Sequence, residues 1–152
     1  MVSPELLRRY PFFSSLNDEQ LAALAMVADE KNYPKGALLV KENQPANKLI
    51  LLLEGDVDLV YSGGEEGSVV NALVGSIAPG EMLGVSSIIE PYIYISSARA
   101  NTPVRVVELD GPAVRALMQV DKTMGYVLMR NVAAAVLERL KYTQVELAAA
   151  RA

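Results

Sequence analysis

The chain has no cysteine and no histidine among its 152 residues. That excludes disulfides, thiolate nucleophiles, iron–sulfur ligation and the usual zinc sites. It also excludes any Ser-His or Cys-His catalytic arrangement. No run approaches the roughly 18 to 20 apolar residues of a membrane span. Positive charge is scarce: 14 Lys and Arg against 18 Asp and Glu give a net charge of −4. This argues against a general nucleic-acid surface, which needs clustered cations. Residues 1–10 contain Glu5, Arg8 and Arg9 and no long apolar core, so they do not read as a signal peptide. The expectation is a cytoplasmic protein with no membrane segment. What is present is 51% apolar and 21% charged residues, a folded composition in a length that suits one domain.

Residues 4–10 predict a short helix that stops before Pro11. Asn17 with Gln20 three residues on predicts a capped helix, with Leu21, Leu24, Ala25 and Ala28 on one face and an end near Lys31 and Asn32. From Tyr33 the pattern changes. Turn signals at Pro34-Lys35-Gly36, Asn43, Glu54-Gly55, the glycines 63, 64 and 67, and Pro79-Gly80 separate short runs. Residues 49–53 predict a fully buried strand and 57–61 a half-exposed one. Residues 68–77, 92–100 and 103–109 predict three more. Short strands with regular turns suggest an antiparallel roll or jelly roll. Asp110 and Asp121 are candidate N-caps of two closing helices. The second is long, reaching residue 149, and Met129, Ala133, Val136, Leu140, Thr143 and Leu147 repeat on it at heptad spacing. Val127, Leu128, Val132 and Ala135 form a second face for packing on the roll. A helix apolar on two faces implies two partners, so a homodimer is expected. The segments are N-terminal helices over 1–32, the β-roll over 33–109 and C-terminal helices over 110–152.

Four stretches in this order resemble the cyclic-nucleotide-binding domain family, the sensor half of the cyclic-AMP receptor protein and its relatives. They are Tyr10-Pro11-Phe12-Phe13 with Leu16, Leu21, Leu24 and Ala25; Tyr33-Pro34-Lys35-Gly36 with Leu39; residues 49–61 around Glu54-Gly55-Asp56-Val57; and Pro79-Gly80-Glu81-Met82-Leu83-Gly84, followed by Ala98-Arg99-Ala100. The resemblance implies a mainly β fold with flanking helices: a double-stranded β-helix or jelly roll plus a long C-terminal helix. It also implies a regulatory rather than catalytic protein. In the family a glycine is followed by a glutamate that accepts from the ribose hydroxyl. A short helix then opens toward the cyclic phosphate, and a strand supplies an arginine for it.

At the glutamate position, after Gly84, stands Val85. Six residues before Ala100, at the arginine position, stands Tyr94, followed by Ile95 and Ser96; a one-residue slip would put Ile95 or Ile93 there instead. Residues 56–98 hold no Lys or Arg at all. Gly84, Val85, Ser86, Ser87, Tyr94, Ile95 and Ser96 are thus the candidate pocket, a cassette without its charged anchors. Tyr92 is a further candidate to stack on a planar ligand or fill the pocket, and Arg99 is expected to face solvent. The expected function is a non-catalytic sensor or regulatory module that does not bind cyclic nucleotide tightly and acts through protein contacts. The alternative is a genuine cyclic AMP or cyclic GMP binder with a divergent pocket. No metal or resident cofactor is expected. The cupin-type enzyme reading lacks its histidine ligands. Family transcription factors carry a helix-turn-helix after the long helix, and none follows within this sequence, so no direct nucleic-acid contact is expected. The acidic Glu54, Asp56 and Asp58 read as a solvated strand face.

Overall fold

A computed structural model describes residues 1–63 and 71–152. Two four-stranded antiparallel sheets make the body, with helices at both ends of the chain.

Helix α1 (Pro4–Arg8) is capped by the Ser3 hydroxyl. Helix α2 (Asp18–Met26) carries the full capping box: Asn17 accepts from the Gln20 amide, and the Gln20 side chain accepts from the Asn17 amide. It ends five residues before the expected boundary. Residues Ala28–Tyr33 form strand β1, paired antiparallel along its whole length with strand β8 (Val104–Asp110). The roll therefore starts at Ala28, and the N-terminal helices end before residue 32. β1 has one buried residue at its start and an exposed run behind it, so it lacks the alternation that marks a strand. Its ladder with β8 overrides the local signal.

Strands β2 (Leu38–Val40), β3 (Lys48–Glu54), β4 (Val57–Tyr61), β5 (Ala72–Ile77), β6 (Met82–Leu83) and β7 (Ser97–Ala100) complete the roll. The sheet orders are β1-β8-β3-β6 and β2-β7-β4-β5. The expected strand over 68–77 is present from Ala72; its first residues and the glycine hairpin between β4 and β5 lie largely outside the described residues. The strand expected over 92–100 is only Ser97–Ala100. Before it, Glu90-Pro91 is cis, Tyr92 sits at φ 59°, and Ile93 makes a single bridge to Pro45. A left-handed tyrosine breaks the pleat, so β-favouring side chains here follow an irregular path.

β3 is buried on both faces, which accounts for its unbroken apolar run. Leu49, Leu51 and Leu53 face the helices with Leu7, Phe13, Leu21, Leu24 and Leu128. Ile50 and Leu52 face the roll interior with Val57, Ile77, Leu83, Tyr94 and Val106.

Helix α3 (Gly111–Val120) begins on the Asp110 carboxylate, and helix α4 (Lys122–Ala150) on that of Asp121. The amides it accepts from, with the Gln20 side chain, hold the Asp121 carboxyl below its ordinary pKa. Met124, Leu128 and Val132 bury one face of α4. Gly125 lies inside the helix, where a methyl would come 3.2 Å from the Met118 carbonyl of α3. Among the described residues, three side-chain hydrogen bonds tie α4 and its cap to the body at successive heights. Gln20 donates to Asp121, Asn131 to the Phe12 carbonyl, and Arg139 to the Ser76 carbonyl.

Candidate ligand pocket and the helix over its mouth

Gly84 follows β6 at φ 73°, and a methyl there would meet the Lys48 carbonyl at 2.5 Å. Only glycine fits both the left-handed backbone and the approach. It leads into one 3-10 turn, Val85–Ile88, in which the Ser87 hydroxyl donates to the Gly84 carbonyl at 2.7 Å. Ser87 is fully buried and used internally, so of the candidate residues it is the one turned away from the cavity.

The other six candidates meet. Gly84, Val85, Ser86, Tyr94, Ile95 and Ser96 line one cavity of about 110 Å³, with Val40, Leu59, Ile77, Met82 and Leu83 as further wall. Tyr94, only 6% exposed, points inward. Its hydroxyl accepts from the Lys48 amide at 3.0 Å and donates to the Lys48 carbonyl at 3.0 Å. Burial pushes its pKa up, so the phenol stays neutral. The side chain at the expected arginine position is thus an uncharged plug bonded to the backbone of Lys48. Ile95, 78% exposed, stands at the rim. The Val85 side chain has no acceptor to offer the cavity. Tyr92 is outside, with the Arg115 guanidinium of α3 at 3.8 Å from its ring centre; this cation–π contact occupies the face a planar ligand would need. Arg99 is exposed, as expected.

One wall residue is absent from the sequence-based set. Arg139 of α4 lines the mouth of the cavity and is its one charged group among the described residues. The window 56–98 that lacks cations ends long before it in sequence. A signal existed: Arg139 continues the line of Leu128, Val132 and Ala135 at helical spacing, the face already assigned to the roll.

Beside the cavity, Glu108 is buried between the Tyr33 hydroxyl, which donates to it, and Lys48, whose Nζ lies 3.6 Å away. Burial, then the carboxylate, push the Tyr33 phenol from its ordinary value near 10 up to about 12. The folded chain therefore holds this proton more tightly than the unfolded chain between those values, and stability falls as pH rises through them. Tyr33→Phe is expected to lose stability less steeply than wild type between pH 10 and about 12, read from urea midpoints. Equal slopes would show that Tyr33 titrates normally. No group of three or more carboxylates able to hold a metal occurs among the described residues. Nor is any helix among them long and apolar enough to cross a membrane.

The site is a small cavity in the roll with Arg139 of the closing helix in its lining. The profile of the Cyclic nucleotide-binding domain family matches residues 30–121. The chain belongs to that family. It is similar to a CRP-like cAMP-activated global transcriptional regulator of Mycobacterium tuberculosis, 28% identical over 73% of this chain and 48% of that protein. It is also similar to a cAMP-dependent protein kinase regulatory subunit of Emericella nidulans, 28% identical over 74% of this chain and 26% of that one. The chain thus spans about half and a quarter of the lengths of these regulatory proteins. Among solved structures, a Geobacter metallireducens GS-15 protein provisionally described as cyclic nucleotide-binding is 50% identical, with a TM-score of 0.82. The match covers 92% of this chain and 99% of that one.

Proposed function

We propose that this chain is a non-catalytic, cytoplasmic sensor or regulatory domain that does not hold a cyclic nucleotide tightly and acts through protein contacts of α4, as a homodimer. The observation that carries this reading is Tyr94: the position where the family resemblance expects a cation holds a neutral phenol committed to the Lys48 backbone. Val85 likewise supplies no carboxylate for a ribose hydroxyl. Charge-assisted hydrogen bonds contribute about 1.5 to 3 kcal/mol each, so losing both anchors weakens binding by roughly two to four orders of magnitude. The dimer reading is supported by the α4 stripe, whose Val136 and Leu140 are 48% and 49% exposed and belong to the heptad series.

The second reading, a genuine binder with a divergent pocket, is favoured by Arg139 at the cavity mouth. Calorimetry with cyclic AMP and cyclic GMP separates the two, run on a sample whose sedimentation mass is twice the 16.4 kDa chain. No saturation is expected below about 1 mM. Micromolar binding of either nucleotide would defeat the first reading, and a monomer at all concentrations would defeat the dimer.

A further inference from the structure

Among the described residues, the guanidinium of Arg139 is placed but has no ion-pair partner. Its Nη2 donates to the Ser76 carbonyl at 3.3 Å, and no carboxylate lies within 4.0 Å of it among the described residues. Among the described residues, one long bond to a neutral oxygen engages only one of its five donors. The seat itself depends on Gly75: a methyl there would lie 2.6 Å from Arg139 Nη1 and 3.5 Å from Leu59 Cδ1. The missing side chain of Gly75 is what lets the guanidinium rest on β5 beside the cavity.

The groups facing it there are mostly alkyl: Val40, Leu59, Ile77 and Leu83, with no carboxylate. On its other side, a groove of about 220 Å³ between β5 and α4 includes Glu81 and Glu146, which repel an anion. An anion therefore meets Arg139 favourably from the roll side only. A partly desolvated guanidinium recognises a planar carboxylate best, through paired N–H donors. The cavity is smaller than the roughly 150 Å³ that holds a benzene ring and well below the roughly 300 Å³ at which drug-sized sites begin. About four non-hydrogen atoms fit, room for a short tail with its charged head at the mouth.

We propose that Arg139, seated over Gly75, makes the roll cavity a site for a small monoanion with an apolar tail: a short-chain carboxylate with its head on the guanidinium and its tail among Val40, Leu59, Ile77 and Leu83. The proposal rests on the reading that the pocket does not hold a cyclic nucleotide tightly. Because the same guanidinium ties α4 to the Ser76 carbonyl, a carboxylate held on its remaining donors joins the cavity to α4, and occupancy reaches the helix directly.

The test is a titration of the whole chain, followed by NMR shifts, with sodium salts of acetate through hexanoate at constant ionic strength. Butyramide serves as the uncharged control. Saturation is expected on the order of 1 mM for butyrate. Affinity is expected to climb about fourfold per methylene from acetate, and to drop at hexanoate where the cavity is full. Butyramide is expected not to saturate. Arg139→Gln and Gly75→Ala should each weaken butyrate at least tenfold, and Arg139→Lys should recover part of the loss. Gly75→Ala displaces only the tip of a flexible side chain, so its thermal midpoint should stay near wild type; it remains informative if Arg139→Gln proves unstable. Butyrate binding that survives both substitutions, shows no dependence on tail length, or fails to saturate on the order of 10 mM overturns the proposal. Cyclic AMP in the same series separates the two readings. Tight nucleotide binding defeats the reading above, whereas silence from nucleotide and carboxylate alike defeats this inference alone.

Discussion

Gly84→Ala is expected to destabilise the roll by about 3 to 5 kcal/mol, which lowers the thermal midpoint by about 8 to 16 °C. Two costs add. A non-glycine residue at φ 73° pays the steric penalty of the left-handed region. The new methyl also lies 2.5 Å from the Lys48 carbonyl, a backbone atom of a strand buried on both faces. It cannot rotate away, as the Arg139 tip can from Gly75, so β3 or the 3-10 turn must move. The measurement is calorimetric unfolding of wild type and variant under identical conditions. A loss under about 1 kcal/mol would show that the turn after β6 is far softer than its geometry implies.

The double substitution Val85→Glu, Tyr94→Arg is expected to raise affinity for cyclic AMP at least a hundredfold over wild type. It returns one carboxylate and one guanidinium to the cassette, about 3 to 6 kcal/mol of charge-assisted bonding between them. A loss of stability accompanies the gain. Without the phenol, the part-buried Lys48 amide loses its acceptor, at a cost toward the lower end of the roughly 1 to 3 kcal/mol of a fully buried unpaired donor. Saturating ligand should return that stability, because it binds only the folded state. Calorimetry gives the affinity, and unfolding midpoints with and without nucleotide give the compensation. A folded double variant no better than wild type would refute the register that places residues 85 and 94 at the anchor positions.

What could be read from the sequence was what local chemistry dictates. The caps at Asn17, Asp110 and Asp121 are side chains satisfying nearby amides, and all three are present. The apolar run of β3 and the glycine turns state their roles within a few residues. Six of the seven residues gathered through the resemblance line one cavity, and the seventh, Ser87, does not, because the turn uses its hydroxyl internally. What could not be read is settled between distant segments. β1 is charged, and only its pairing with Val104–Asp110 makes it a strand. Tyr92 has strand-favouring chemistry, yet its backbone is left-handed and its ring is matched to Arg115. Arg139 belongs to no sequence-based set, although it continues the helical line of Leu128, Val132 and Ala135; its seat beside Gly75 depends on how α4 lies against β5.

The long closing helix has a further consequence. Its 29 residues extend about 44 Å, yet every side chain beyond Leu140 through Ala150 is exposed. A free helix of fewer than about 12 to 15 residues is marginal in water, so the body alone does little to keep the outer turns wound. A second chain along Val136, Leu140 and Leu147 would supply what the body does not. In the proposed dimer, winding and association would be one equilibrium, and the reach of the rod would depend on how much protein is present.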